Sequence, residues 1–495
     1  MAIFVIVFYI LILSILTIYA FHRYVMVYLF QKHKNKKLKP LKEFEELPRV
    51  TIQLPLYNEV NVVERLLKTV SEVEYPKDKL QIQVLDDSND ETTMVAMRLV
   101  SELKKNGFDI EYRHRDNRKG FKAGALQEGL ATAKGEFIAI FDADFLPPKD
   151  FLLKSIHYFT NDKVAVVQSR WGHINSDYSI LTNIQAMMLD GHFVIEHIAR
   201  NRSGRFLNFN GTGGIWRKEA IYDAGGWHSN TLTEDLDLSY RCQMRGWEFI
   251  YLPDIVSYAE LPADIDAFKK QQFRWTKGAI QTSKKLLISF LKADLPLKVK
   301  IEGFFHLTNS VAYLLMFLLS ILMFPSMLYR FRIGWYELMY FDLPIFCLAT
   351  FSIGVFYALS VKEIYPDWKA RLKYIPFLMA LGYGLCVSNG RAVIEALIGV
   401  ESEFVRTPKY NFDRDKKIKM MKAYSNKKIY ASICEFAFGI YYAYAIYFCI
   451  DYGLLAAIPF LLLFAFGFWY IWVYTLWQNR DSLLGGRIRT VFQQS

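Results

Sequence analysis

The chain has 495 residues, a formal charge of +11, and a composition that is 53% hydrophobic and 16% aromatic. It is longer than one average domain needs, and its apolar content is high for a soluble protein and low for a pure transporter, so a soluble block joined to membrane segments is expected. No nucleic-acid motif accompanies the basic excess, which reads as cytoplasmic loops facing anionic lipid, and no nucleic-acid partner is expected.

Residues 2–21 carry no charge and suffice to span a bilayer. No small-residue cleavage site follows, so a membrane anchor over 1–30 is expected rather than a removed signal peptide. The basic run QKHKNKKLKPLK places the next segment in the cytoplasm. Over 31–263 short β-branched runs recur (VTIQL, IQVL, FIAIF, VAVVQ, FIYL), separated by charged, helix-like stretches such as 58–73 and 91–106. This alternation predicts an α/β block with a mainly parallel sheet and helices on both faces. Ligands in such sheets bind beyond the carboxyl ends of the strands.

Residues 264–300, rich in Lys and aliphatics, are expected to lie along the membrane surface as amphipathic helices. Uncharged runs return in 301–495, at 303–329, 343–361, 374–390, 436–450 and 452–478. The segment 374–399 is interrupted by Asn389, Gly390 and Arg391, and the loop 401–428 after it holds nine Lys or Arg against four Asp or Glu. A spanning 374–399 would put that basic loop outside, against the charge rule, so a re-entrant or interfacial segment is expected. Five spans and a cytoplasmic carboxyl terminus remain. Few ionised residues fall in the spans, which speaks against a transporter; Glu435 reads as a helix-end acid. The five cysteines (Cys242, Cys347, Cys386, Cys434 and Cys449) form no CxxC pair and read as small buried hydrophobes.

Carboxylates follow the strand-like runs. QIQVLDDSNDET ends on Asp86 and Asp87, which also suit a turn or helix cap. In FIAIFDADF, Asp142 and Asp144 leave a strand two residues apart, as two hard-oxygen groups sharing a divalent cation and a diphosphate would. TLTEDLDLSYR sets Glu234 and Asp235 ahead of a helix, where one can act as a general base or both can simply follow an N-cap Thr233. FNGTGGIWR (209–217) reads as a glycine-rich turn that lets backbone approach a ligand.

Asp86/Asp87, Asp142/Asp144, Glu234/Asp235 and then QQFRW (271–275) stand in the order D, DxD, ED, QxxRW. The chain thereby resembles the inverting, processive members of glycosyltransferase family 2. With QLPLYNE, RDNRKGFKAGAL, FNGTGGIWR and FVRTPKY added, it is most similar to the plant cellulose-synthase-like A and C proteins and their bacterial relatives. It differs from bacterial cellulose synthase in the single span before the catalytic block and in showing no cyclic-dinucleotide sensor.

The resemblance implies a GT-A catalytic domain set in an α-helical transmembrane domain, Mg²⁺ or Mn²⁺ as cofactor, and a UDP-glucose or GDP-mannose donor. Asp86 and Asp87 would hold the nucleoside, with Lys122 near the nucleotide, and Asp142 and Asp144 would hold the metal and diphosphate. Asp235, with Glu234 beside it, would be the catalytic base. Gln271 and Arg274 would contact the donor, as would Thr407 and Lys409 from a gating-like loop over 400–428. Trp275, Phe209, Asn210, Gly211 and Thr212 would meet the acceptor, a growing β-linked polysaccharide. That chain would leave through the lipid-embedded spans, past aromatic rings and neutral groups such as His306, Thr308 and Asn309. The rival is a lipid glycosyltransferase of the ceramide glucosyltransferase type, which transfers one sugar.

Overall fold

The structure is a computed structural model that describes residues 2–335, 337, 339–402, 406–412 and 429–483. Its soluble block contains seven strands: β1 (Val50–Leu56), β2 (Leu80–Asp86), β3 (Asp109–His114), β4 (Phe137–Ile140), β5 (Val164–His173), β6 (Gly214–Arg217) and β7 (Glu248–Ala259). They form one sheet in the order β3-β2-β1-β4-β6-β5-β7. All five β-branched runs are strands. β3, whose sequence DIEYRH is mostly polar, and β6, four residues behind a glycine cluster, gave no such signal. β1 to β4 pair in parallel, as do β5 and β7, whereas β6 runs antiparallel to both of its neighbours. The sheet is therefore mixed, and part of the glycine-rich stretch expected as a turn is its one reversed strand, inside the sheet between β4 and β5.

Alternate strand residues face opposite sides. Phe137 and Ala139 of β4 enter one apolar core with Ile52, Val84 and the helix Val63–Ser71, while Ile138 and Ile140 enter the other with Leu126, Trp216 and Leu238. Helices thus cover both faces. The carboxyl ends of β1, β2 and β4 open on one side, where Asp86, Asp87, Asp142 and Asp144 stand.

Among the described residues five helices are long and apolar enough to cross a membrane: Ala2–His33, Val311–Arg332, Asp342–Ile364, Ile433–Asp451 and Leu455–Gln478. A further pair, Trp368–Gly384 and Cys386–Ile398, is bent by 43° at its junction, the geometry of a broken span or a re-entrant segment. Small residues let these helices touch: a Cβ on Gly384 would lie 2.5 Å from the carbonyl oxygen of Gly467.

Several details differ from expectation. The run 303–329 is two helices, Leu297–Thr308 and Val311–Arg332. His306 and Thr308 therefore precede the span, and His306 Nδ1 meets the Tyr240 hydroxyl at 2.8 Å, so they do not line a pore within it. Glu435 stands near the start of the helix Ile433–Asp451 as expected, but it is more than a helix-end acid: it is 1% exposed and accepts from Lys269 Nζ at 2.6 Å. Arg330 and Asp342 form a second ion pair inside the bundle, at 2.7 Å. Cys242, Cys386 and Cys449 are buried, but Cys347 is half-buried and Cys434 is exposed. The first helix is also more than an anchor. It has 32 residues, where about 20 suffice for a span, and Met26, Leu29 and Phe30 join the core of the soluble block.

Candidate active site

One cavity collects the carboxyl ends of β1 and β4, the Asn210–Gly211 loop, the Glu234 helix, the QxxRW helix and the segment Arg406–Lys409. Asp87, Lys122, Asp142, Asp144, Asn210, Gly211, Glu234, Asp235, Gln271, Arg274, Trp275, Thr407 and Lys409 all line it.

The two acids after β4 are held differently. Asp142 Oδ1 takes the ammonium of Lys122, whose Nζ also donates to the Gly211 carbonyl at 2.8 Å. Asp144 Oδ2 takes the Lys409 ammonium at 2.5 Å and the Glu260 N–H at 3.2 Å. The described bonds of these acids end on one oxygen of each, Asp142 Oδ1 and Asp144 Oδ2. No three His, Cys, Asp or Glu residues converge among the described residues, so the protein would offer a metal two carboxylates. Hard oxygens of this number suit Mg²⁺ or Mn²⁺ completed by phosphate oxygens and water, so the donor set fits such an ion.

Glu234 and Asp235 open the helix Glu234–Met244. Thr233 does not cap it with its side chain; its hydroxyl turns instead to Thr282 Oγ1 on the helix Ile265–Lys292, 3.1 Å away. That long helix starts from Asp264, whose Oδ1 accepts the Ala267 N–H at 2.7 Å. It crosses close over the Thr233 turn because Gly278 faces it: a Cβ there would lie 2.9 Å from the Thr233 nitrogen. This crossing brings Gln271, Arg274 and Trp275 over Glu234 and Asp235. On the other side lies Gly211 at φ +82°, where a Cβ would stand 3.1 Å from Asp235 Oδ2. Only glycine adopts that backbone without strain, and the lack of a side chain leaves the carboxylate open.

Burial pushes the Asp235 carboxyl up to about 7, with the adjacent Glu234 charge adding to it and Lys122 and Arg274 opposing. Burial also raises Glu234, against Lys122 and Arg274. The Lys122 ammonium is pulled down by burial, but Asp142, Glu234 and Asp235 outweigh that and lift it. A carboxylate near 7 is a competent base at neutral pH, and the cations around it make the cavity suited to an anionic group.

The segment Arg406–Phe412 is tied down across the cleft mouth. Arg406 pairs with Glu59, Asn61 Nδ2 donates to the Lys409 carbonyl at 3.1 Å, and the Tyr410 hydroxyl donates to Asp264 at 3.0 Å. Glu260 accepts the N–H of Tyr410 at 2.9 Å, the N–H of Phe412 at 2.8 Å and Arg65 Nη2 at 2.6 Å. Phe404 and Val405 of FVRTPKY, and the basic stretch 413–428, lie outside the described residues.

Three expected site residues sit elsewhere. Asp86 is fully buried and does not line the cavity; Ser88 N–H and the Tyr112 hydroxyl donate to it at 2.9 and 2.6 Å. Phe209 is also fully buried, edge-on to Trp216 with ring centres 5.4 Å apart, and belongs to the apolar core beside β6. Thr212 is 1% exposed, and its Oγ1 accepts the Asp142 N–H at 2.9 Å, so it sets Asp142 rather than touching a ligand from the cavity. Asp87 does line the cavity, with Arg115 gripping both of its oxygens at 2.7 and 2.6 Å. Sequence reasoning missed Glu59, Glu260, Arg406, Tyr57 and Arg118. The last two stack, guanidinium to ring centre 3.3 Å, on the cavity wall.

Residues 48–278 match the family described as glycosyltransferase like family 2. Glucomannan 4-beta-mannosyltransferase 2 of Arabidopsis thaliana is 42% identical over 281 residues, 54% of this chain and 52% of that protein. Probable glucomannan 4-beta-mannosyltransferase 7 of Oryza sativa subsp. japonica is 44% identical over 254 residues, 50% of this chain and 43% of that protein. The chain thus spans about half the length of these curated relatives. Among solved structures, a mannosyltransferase from Pyrobaculum calidifontis in complex with GDP-Man and Mn²⁺ is similar at TM-score 0.53 and 20% identity, over 79% of this chain and 99% of that one. That likeness concerns the fold, a GT-A arrangement with apolar helices on either side of it in sequence.

Proposed function

We propose that the chain, whose residues 48–278 match glycosyltransferase like family 2, is a membrane-embedded, inverting hexosyltransferase that extends a β-linked polysaccharide of mannan or glucomannan type. GDP-mannose is the donor we favour, since the relatives are glucomannan 4-beta-mannosyltransferases. The observation that carries the reading is Asp235: a half-buried carboxylate raised to about 7, open over Gly211, facing Arg274 and Lys122.

In this reading Lys122, Arg274 and Lys409 hold the diphosphate, and Asp142 and Asp144 hold Mg²⁺ or Mn²⁺. The cation would offset charge on the leaving diphosphate. Trp275 offers a ring face to the acceptor sugar, whose hydroxyl loses its proton to Asp235 as it attacks the anomeric carbon from the side opposite the diphosphate. One displacement inverts the centre and needs no covalent enzyme intermediate. The catalytic block faces the cytoplasm, and the spans carry the product across the bilayer.

The test is the purified protein in detergent with labelled GDP-mannose and UDP-glucose, each with Mn²⁺ or Mg²⁺, followed by linkage analysis. In sealed vesicles with the active site outward, long β-linked chains protected from added glycanase are expected. A single sugar on a lipid would instead select the ceramide glucosyltransferase type, and no transfer from any donor would overturn the reading.

A further inference from the structure

Beneath the Asn210–Gly211 loop runs a polar chain, half-buried at its start and buried further in, that none of the sequence motifs contains. It begins in a π-helical turn, Gly191–Glu196, where Gly191 lies against Phe356 and Tyr357 of a membrane helix. Such turns interrupt an α-helix at a cost and concentrate at functional sites. The turn presents His192 to the Asn210 side chain, Nε2 to Nδ2 at 2.9 Å, and to Glu196, Nδ1 to Oε2 at 2.9 Å. Asn210 Oδ1 lies 2.6 Å from His197 Nε2.

The directions of these bonds follow from chemistry. A carboxylate only accepts, so His192 Nδ1 donates to Glu196. The Asn210 amide turns its nitrogen to His192 Nε2 and its oxygen to His197. His197 is fully buried, and burial pushes it well below the usual histidine range, so it is neutral and donates its one proton to that oxygen. Each group makes the bond the next one needs, and the Asn210 amide has a single orientation.

The chain continues outward. Arg200 donates to Glu196 at 3.2 Å and to Glu302 at 2.9 Å, and Glu302 meets His22 of the first membrane helix at 2.8 Å. His306 also lies in the field of Glu196, Arg200, His192 and His197. Arg200 and Glu302 are 3% and 2% exposed. Breaking such a pair leaves an uncompensated buried charge, so its members hold one arrangement.

We propose that His192 is a positioning residue: through Asn210 it fixes the left-handed Gly211 turn against Asp235, and the chain Glu196–Arg200–Glu302–His22 references that turn to the membrane anchor. The proposal rests on the functional reading only for its kinetic readout. Asn210 precedes Gly211 directly, and Gly211 is the residue whose missing Cβ keeps Asp235 Oδ2 open. A loose Asn210 lets that turn move and spoils acceptor alignment, while the diphosphate contacts of Lys409 and Arg274 stay in place.

Two histidine replacements divide the bonds. Gln at 192 places an amide oxygen where Nε2 accepts from Asn210; Asn at 192 keeps only the donor toward Glu196. In the full-length protein, hydrogen–deuterium exchange of the 208–214 amides is expected to rise about tenfold in His192→Ala and His192→Asn and to return to within about threefold of wild type in His192→Gln. Turnover should fall about tenfold or more in the first two, with donor KM within about twofold, and recover in His192→Gln. Unchanged 208–214 exchange in His192→Ala, or equal behaviour of the Gln and Asn variants, would overturn the proposal. If wild type transfers no sugar, the functional reading falls and the exchange pattern alone decides the positioning role.

Discussion

Lys409 reaches Asp144 across 265 positions of sequence, its ammonium 2.5 Å from Oδ2. Asp144 is 4% exposed at its side chain, and Lys122 holds Asp142 in the same way. Each acid of the DAD triplet therefore carries its own ammonium partner, one from the sheet domain and one from the segment that crosses the cleft. Burial pulls Lys409 down, and Asp144, Glu59 and Glu260 more than compensate, so it stays charged. In the proposed reading, these carboxylates would serve a cation and these ammonium groups a diphosphate.

Lys409→Ala is expected to raise donor KM about tenfold or more, because a buried charge-assisted contact is lost and Asp144 keeps an uncompensated charge. Lys409→Arg should recover part of this. Steady-state kinetics with varied donor checks it, and a donor KM equal to wild type would detach Lys409 from the diphosphate.

Glu260 is the point where the crossing segment is fastened, since two of its backbone N–H groups end on that one carboxylate. Glu260→Ala leaves both without that acceptor and removes the partner of Arg65. Limited proteolysis should then cut near 406–412 about tenfold faster, and donor KM should rise with it. An unchanged cleavage rate would mean that Arg406–Glu59 and Tyr410–Asp264 suffice.

The parts legible in sequence were those with a local signature. Hydrophobic period and β-branched runs marked five strands, and carboxylates directly after them marked Asp142 and Asp144 at the strand ends. What sequence hid was set by contacts between distant segments. Phe209 and Thr212 share a motif with Gly211, yet only Asn210 and Gly211 face the cavity, because the chain turns at Gly211, Phe209 packs on Trp216 and the Thr212 hydroxyl is taken by the Asp142 N–H. Asp86 looked like the twin of Asp87 until Tyr112, on the neighbouring strand, took its oxygen. Glu59 and Arg406 stand inside QLPLYNE and FVRTPKY, and Glu260 in no motif, yet the roles of all three exist only once 406–412 lies across β7's end.

Lys269 and Glu435 link the QxxRW helix to a membrane helix through a pair that is 11% and 1% exposed at the side chains. Glu435→Gln should remove the charge partner and strand the Lys269 ammonium, lowering thermal stability by about 3 kcal/mol and slowing turnover. Lys269→Met combined with Glu435→Leu, apolar groups of similar volume, should restore the melting temperature. If the double variant also recovers turnover, the pair serves packing alone; if it stays slow, the pair sets the pitch of the helix that carries Arg274 and Trp275.

Asp235 gives the most demanding prediction because kinetics and stability must move in opposite directions. Its ordinary value is 3.8, and burial with the Glu234 charge pushes it up to about 7 in the folded protein. A base works when deprotonated, so kcat/KM should rise with pH and level off above about 7. Asp235→Asn should cut turnover about a hundredfold or more while GDP binding stays within about twofold. The stability effect follows from the same shift. A group whose folded value lies above its unfolded one is stabilised by its proton, so the wild type loses stability as pH climbs from 3.8 to about 7 and keeps that deficit above it. The Asn variant carries no such charge. At pH 8 it should therefore melt higher than wild type, by an amount on the order of a few kcal/mol, and the gap should close as pH falls toward 4. Thermal melts of both proteins across that range, run beside the kinetics, check it. An inactive variant that is less stable than wild type at pH 8 would mean that the wild-type carboxylate is held by stabilising contacts, and that it is not the strained base this site requires.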